Sequence, residues 1–494
     1  MRASVAAAFL LLGCDQLLGL TQVRAKPDAP AANVVTGRVV QHLVSNNSSF
    51  QPVVTDDVIP RDQISLTATL DDGMPAQVAY EEDGTFSFGL ESPGQAYELD
   101  DTVYGATGKL QVSLPQLVLS NRGAGRLDAR ANGRSFLTFD FPAGGTATSS
   151  AWVVSTGQYS QTDTGLFGPL VNFNWQAVQG AGVVPVGLLD ASAHDYVYAL
   201  EYTPNAVVSS TPYTMIAAAS GQSITQQLDG SLMLAAPTTV PPNACIHFAT
   251  LGDSEYARVN AALPGSFPAY QDWILYWMPA PDVVAGAGAI DIASGGYKNA
   301  NDLDLAPPVY VPMSGGQLVI SSFVGEGVAV TAPGSSPLVV YSGNRRDAKI
   351  TAGAAAGCTG DAVVGLAGTV GIPGIPALDG HVLDTPDQTI AITGSRVDVT
   401  WPIAGAGPVH DANVLVYEVI AASGGVTTIS PVGASIIVVG TSAHFDASLF
   451  QSQHRYLVLV ATHLSEPNAV DGDFDTMAFP IESADTWSQQ FVVQ

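Results

Sequence analysis

Apolar side chains in this chain recur every second residue, and that period constrains its fold more than any other feature. Ile64-Ser65-Leu66-Thr67-Ala68, Tyr196-Val197-Tyr198-Ala199-Leu200 and Val397-Asp398-Val399-Thr400-Trp401 alternate or run β-branched, and Gly, Pro, Asn or Asp closes such runs. Successive side chains of a strand point to opposite faces, so this pattern specifies sheets with one face turned inward. With 50 Gly and 32 Pro as breakers between the runs, the expected fold class is all-β, a multi-domain array of β-sandwiches. One short helix is expected at Asp253 to Ala262. Helices alternating with strands are missing, which argues against layered α/β architectures.

Length and composition set the scale. At 494 residues the chain exceeds a single core, and at roughly 100 to 200 residues per domain it holds about three or four units. Charged residues are 12% of the chain, about half of the roughly 25% of an average soluble domain, so Ser, Thr, Asn, Gln and Gly must fill the surface. That is the habit of exported β-rich proteins. The formal charge of −27, from 44 acidic and 17 basic residues, comes with no basic patch. Nucleic acid is therefore excluded as a partner, because a phosphate backbone needs Lys and Arg to displace its counterions.

The first residues read Met1-Arg2, an apolar run from Ala3 to Leu12, then Gly13 and Cys14. A positive start and a run too short to span a bilayer describe an export signal. Leu11-Leu12-Gly13-Cys14 resembles the lipobox of bacterial lipoproteins. The resemblance implies a signal peptide at 1–13, an acylated Cys14 that anchors the protein in a cell-envelope membrane, and a tether at 14–32. Asp15 is similar to an inner-membrane retention signal, which varies between bacterial groups and leaves the membrane and leaflet open. Ordinary secretion with cleavage after Val23-Arg24-Ala25 is the alternative. Cys245 and Cys358 remain as an even pair, expected either as a disulfide in an oxidising envelope or as two buried thiols. No CxxC or Cys/His cluster supplies a structural zinc site. The apolar stretch from Ala352 to Leu378 contains Asp361, Pro373 and Pro376 among its glycines, unlike a spanning helix.

Two ends of the chain resemble known modules. Val35-Thr36-Gly37-Arg38-Val39, Asp83-Gly84-Thr85-Phe86-Ser87-Phe88 and Pro93-Gly94-Gln95-Ala96-Tyr97-Glu98-Leu99 make residues 33–104 similar to carboxypeptidase regulatory-like and Cna B-type sandwiches, which implies a spacer or stalk. Asp83-Gly84 reads as a tight turn that puts Phe86 and Phe88 on one face of the next strand. Trp401, the run from Val414 to Ile420 around Tyr417, the corner after Leu449 and the strand Tyr456-Leu457-Val458-Leu459-Val460 make 384–494 similar to a fibronectin type III or immunoglobulin-like sandwich. There a large ring fills the gap between sheets while its polar atom finds a backbone partner. The segment 105–310 reads as a central β-sandwich region, and 311–383 as a small β unit with a Gly/Ala-rich connector.

Candidate chemistry is sparse. No HExxH, GxSxG elbow or phosphate-cradling glycine loop is present, and the eight histidines are scattered without metal-ligand spacing. Asp471, Asp473 and Asp475 alternate on a Gly-containing loop that could hold calcium in an irregular site, the one cofactor the sequence suggests. Trp273 and Trp277 fall on one face of an expected strand, with Tyr276 on the other, and exposed rings at that spacing would make a platform for sugars. Buried rings explain the same letters. Asp302-Leu303-Asp304 reads as a turn. The expectation is a non-catalytic, lipid-anchored cell-envelope protein with a structural or adhesin-like role. Its partners are the membrane, through the N-terminal lipid, and a protein or polysaccharide ligand. The alternatives are an envelope-polymer hydrolase with a site in the central region, or a carbohydrate-binding lipoprotein.

Overall fold

The structure, a computed structural model, describes residues 33–48, 52–103, 106–124, 135–140, 150–155, 160–163, 170–174, 191–208, 211–225, 230–235, 237–263, 269–278, 290–297, 299–312, 316–350, 352–354, 366–405 and 407–494. Over these residues the chain is all-β, with one α-helix of any length, Gly252–Ala262, where a helix was expected. No helix among the described residues is long and apolar enough to cross a membrane.

The first unit is a sandwich of two sheets. Strand Val34–Asn46 lies antiparallel to Pro52–Asp57 and Thr85–Gly89 and parallel to Gln116–Ala124. Facing it, Ile64–Leu70, Tyr97–Val103 and Ala106–Val112 form an antiparallel sheet. The alternation read from the sequence fills the gap: Phe86 and Phe88 from one sheet meet Tyr97 and Leu99 from the other, all buried. The Asp83-Gly84 turn forms because Gly84 takes a φ of 83° and the Asp83 carboxylate accepts from the Thr85 N–H and hydroxyl. The expected boundary at 104 is corrected by this core, because Leu110, Val112, Leu117 and Leu119 belong to it. Two strands placed in the central region are needed to close the first sandwich.

In the central unit, strand Ala269–Met278 sits between Ile290–Tyr297 and Gln317–Val330, and the last pairs with Leu338–Ile350 from Leu318↔Ile350 to Val330↔Leu338. The expected boundary at 310/311 therefore falls inside one continuous sheet. Gln317–Val330 is buried along nearly its whole length on both faces, as a strand covered on two sides must be. The other end of the expected 311–383 unit belongs elsewhere, since Leu378 and Leu383 lie in the core of the last sandwich. Asp302–Leu305 is a strand paired with Phe248–Leu251 and not a turn. Through that pairing Asp302 Oδ1 accepts the Asp253 N–H at 3.2 Å and satisfies a donor in the first turn of the helix.

The last unit packs Trp401, Val414, Val416, Tyr456, Val458 and Phe491 between its two sheets. The Tyr456 hydroxyl accepts the Gln451 N–H at 2.7 Å, pinning the corner five residues upstream as the immunoglobulin-like pattern implies. Trp401 departs from that pattern: its Nε1 has no acceptor among the described residues.

The units do not follow one another as beads. Leu338–Ile350 of the central sheet pairs with Ile481–Trp487 of the last unit, from Gly343↔Asp485 to Asp347↔Ile481. Ala106–Val112 of the first unit pairs in parallel with Ile436–Val438, from Lys109↔Ile436 to Gln111↔Val438. The last sandwich thus pairs with both of the others, and Val54 of the first unit also packs against the central core, so the last sandwich is not the far end of a stalk.

A buried carboxylate secures this arrangement. Glu482, fully buried, accepts the backbone N–H groups of Thr369 and Val370 at 2.6 and 2.9 Å and pairs with Arg346 Nη1 at 2.7 Å. Removing one partner of such a pair leaves a charge and two donors uncompensated in a low-dielectric interior, a cost of about 3–5 kcal/mol. Glu482→Ala is therefore expected to lower the unfolding free energy of this region by about that amount. Denaturant titration followed by tryptophan fluorescence reads the change, and a loss below about 1 kcal/mol would contradict the network.

Candidate functional site

The structure separates the residues singled out in the sequence. Cys14 lies outside the described residues. Trp273 and Trp277 are 0% and 1% exposed, inside the central core against Phe248 and Leu275. Tyr276, 3% exposed on the opposite face, donates its hydroxyl to Asp347 Oδ2 at 2.6 Å. The sugar platform is thereby corrected: strand Ala269–Met278 is covered on both faces, so its rings hold the core and offer no surface for stacking. Cys245 is disulfide-bonded and fully buried; Cys358 lies outside the described residues.

Asp471, Asp473 and Asp475 do not converge on a cation position. Asp471 sits in a single turn of 3₁₀ helix. Asp473 spends its carboxylate on the loop itself, accepting the N–H groups of Asp475 and Thr476 at 2.9 and 3.0 Å and the Thr476 hydroxyl at 2.7 Å. These bonds hold its pKa below the usual carboxylate range against the opposing effect of burial. Asp475 turns away to His42 Nε2. What the loop does instead is dock on the edge of the first sandwich. The Val118 N–H donates to Gly472 O at 2.8 Å, and the Phe474 N–H donates to Val118 O at 2.9 Å. Gly472 is required there: its φ is +89°, and an added Cβ would fall 1.9 Å from Gln116 O.

This loop and the parallel pairing of Lys109–Gln111 with Ile436–Val438 form one seam between the first and last units. Gln111 ties it a second time, its side-chain amide donating to His444 O at 2.7 Å and accepting the His444 N–H at 2.8 Å. A groove lies on each side. One, of about 470 Å³, is lined by Asp71, Tyr97, Gln111, Arg396 and His444. The other, of about 370 Å³, is lined by Asp101, Leu110, Ile437, Glu466, Phe474 and Met477.

The second groove reaches the most unusual group of side chains among the described residues. Asp411, His463 and Glu466 place one potential ligand atom each within 4.8 Å of one another. Asp411 opens the strand Asp411–Ala422, His463 closes Arg455–His463, and the antiparallel register sets the two opposite each other. His463 Nδ1 lies 2.7 Å from Asp411 Oδ1. Glu466 follows three residues later and faces the Asp411 carboxyl.

Electrostatics follow from this placement. Burial works against a charged His463, yet the Asp411 hydrogen bond and charge, aided by Glu466 and Asp485, outweigh it and raise the ring to about 9. Burial pushes Glu466 up to about 7, with the Asp411 charge adding to it, while the Ser465 hydroxyl and His463 pull the other way. Asp101, across the groove, is also pushed up by burial. Such a set can share protons or hold a cation. Sequence reading missed it, although a signal existed: the strands around Tyr417 and Tyr456 were both legible, and extending their antiparallel pairing outward brings Asp411 to His463.

No family model matches the chain, and no curated protein matches it. Among solved structures, the four N-terminal Ig domains of Dscam1 isoform 8.4 share 9% identity over 94% of this chain and 98% of that one, with a TM-score of 0.13. A streptococcal ancillary pilin shares 9% over 63% and 95%, at 0.13. The FN1–FN3 domains of chicken CNTN1 share 8% over 69% and 90%, at 0.12. At those TM-scores the likenesses carry no argument, and the all-β assignment stands on this chain's own strands.

The seam carries its own pH dependence. His42 lies between Asp56, 2.8 Å from its Nδ1, and Asp475 at its Nε2. The Asp475 hydrogen bond raises its pKa above the ordinary 6.5, burial opposes this, and the charges of both aspartates add to the rise. A raised histidine contributes stability that is complete below about 6.5 and lost as pH climbs through the folded value. The stability difference between wild type and His42→Gln, taken from unfolding at a series of pH values, is expected to be largest on the acid side of 6.5 and to shrink as pH rises through the folded value. A difference that grows with pH would refute the assignment.

Proposed function

We infer that this protein is a lipid-anchored component of a bacterial cell envelope, without a catalytic role, whose β-sandwich units present a structural or adhesin-like surface to a protein or polysaccharide ligand. The observation that carries the reading is the backbone pairing across unit boundaries, at Lys109–Gln111 with Ile436–Val438 and at Gly343–Asp347 with Ile481–Asp485. Sheets joined by main-chain hydrogen bonds hold their units in fixed relation, which suits a load-bearing or displaying part. Hinged lobes that close on a small molecule need the opposite. The buried aromatics of strand Ala269–Met278 remove the basis for a sugar-stacking platform at that position.

The anchor rests on the resemblance of Leu11-Leu12-Gly13-Cys14 to a lipobox. Several acyl chains on one cysteine would bury enough CH₂ groups, each contributing about 0.8 kcal/mol, to make attachment effectively permanent. Metabolic labelling with a fatty-acid analogue is expected to mark the natural protein and leave Cys14→Ser unmarked. Equal, negligible labelling of both would replace the anchor with ordinary secretion.

The disulfide at Cys245 supports an oxidising compartment, where such bonds persist. We assign Cys358 as its partner. Strand Ala352–Ala354 pairs with Ala244–Ile246, setting Gly353 opposite Cys245, and Cys358 follows only a few residues later in sequence. Peptide mapping without reduction is expected to recover a Cys245–Cys358 linked pair. Recovery of Cys245 linked to Cys14, or of Cys358 as a free thiol, would overturn both the pairing and the lipid on Cys14 or the pairing alone, respectively.

A further inference from the structure

We propose that Asp411, His463 and Glu466 form a binding site for a divalent transition-metal ion of the zinc class, beside the groove between the first and last units. The site is built by strand register and not by chance encounter of surface side chains, because Asp411 and His463 are paired residues on adjacent strands. Asp411 is 3% exposed. Its Oδ1 is taken by His463 Nδ1, and its buried Oδ2 meets the Glu466 carboxyl and no N–H donor among the described residues. An acceptor left bare in a buried position costs about 1–3 kcal/mol, more when charged. Among the described residues no Lys or Arg pairs with Asp411 or Glu466; the nearby Lys109 is engaged by Glu98 and Asp100. Two carboxylates thus meet with only the His463 ring, and no Lys or Arg, from the chain to balance them.

The donor set selects the ion. Calcium and magnesium want shells of about six or more oxygens, many from carboxylates, carbonyls and water, and an imidazole is a poor member of such a shell. Imidazole with carboxylates suits zinc, which binds nitrogen and oxygen at about 2.0–2.2 Å. Ligand atoms within 4.8 Å of one another need only small side-chain rotations to close on such an ion. Three protein ligands leave a position free, and Glu466 lines the groove that also holds Asp101 and Met477, so water or a ligand group can complete the shell from that side. The competing explanation of the same geometry is a proton shared between the two carboxyls.

The test uses untagged full-length protein stripped with EDTA and titrated with Zn²⁺ by calorimetry, with excess Mg²⁺ present to occupy exposed carboxylates. The wild type is expected to bind one Zn²⁺ saturably, and Asp411→Asn and Glu466→Gln are each expected to weaken that binding tenfold or more. Absence of saturable binding in the wild type, or unchanged affinity in both variants, overturns the proposal in favour of the shared proton. A second measurement needs no variant: carbethoxylation of the histidines, read by peptide mass spectrometry. Zn²⁺ is expected to protect His463 and not His247, which lies elsewhere beside Asp304; Zn²⁺ binding that leaves His463 equally reactive overturns the assignment. Neither readout depends on the lipid anchor, so its failure leaves that reading untouched.

Discussion

Every sandwich has sheet edges whose N–H and C=O groups must be paired, covered or wetted, and in this protein one unit's edge is satisfied by another's. That single requirement organises the molecule. The parallel ladder between Ala106–Val112 and Ile436–Val438, and the antiparallel one between Leu338–Ile350 and Ile481–Trp487, convert edges that would invite aggregation into internal joints. The loop carrying Asp471 to Asp475 does the same for strand Gln116–Ala124. Its aspartates are there to shape and tether a docking segment, with Asp473 folding the loop and Asp475 reaching His42 across the joint.

A chain with 44 acidic and 17 basic residues must find donors for its carboxylates somewhere. Two solutions recur. Glu255 and Glu482, both buried, take backbone N–H groups from the segment Gly368–Val370 along with one arginine each, so a connecting stretch is fixed by charge as well as by the packing of Val370. Histidine supplies the second: His42, His247, His444, His454 and His463 each lie against a carboxylate. Asp411 and Glu466 stand apart because the two carboxylates share the one histidine.

Much of the fold was legible and little of the site. Alternation placed Phe86 and Phe88 on one buried face, the Asp83-Gly84 turn formed as its chemistry requires, the helix began within one residue of its expected start, and Tyr456 took its corner. Boundaries at 104 and 310 failed because alternation says which side chains share a face and nothing about which strands share a sheet. Trp273 and Trp277 were ambiguous for a related reason: aromatic rings at strand spacing read the same on an open face as inside a strand covered on both sides.

By itself the sequence determined the class of structure, the turns and the inward faces, because these follow from the two-residue repeat of an extended backbone and from residues adjacent along the chain. Only the tertiary structure decided which edges meet and which carboxylates face one another. His42 and Asp475 are 433 residues apart, and Asp411 and His463 are 52 apart. Contacts at such separations are set by the closing of sheets on one another, and the local pattern carries no record of them.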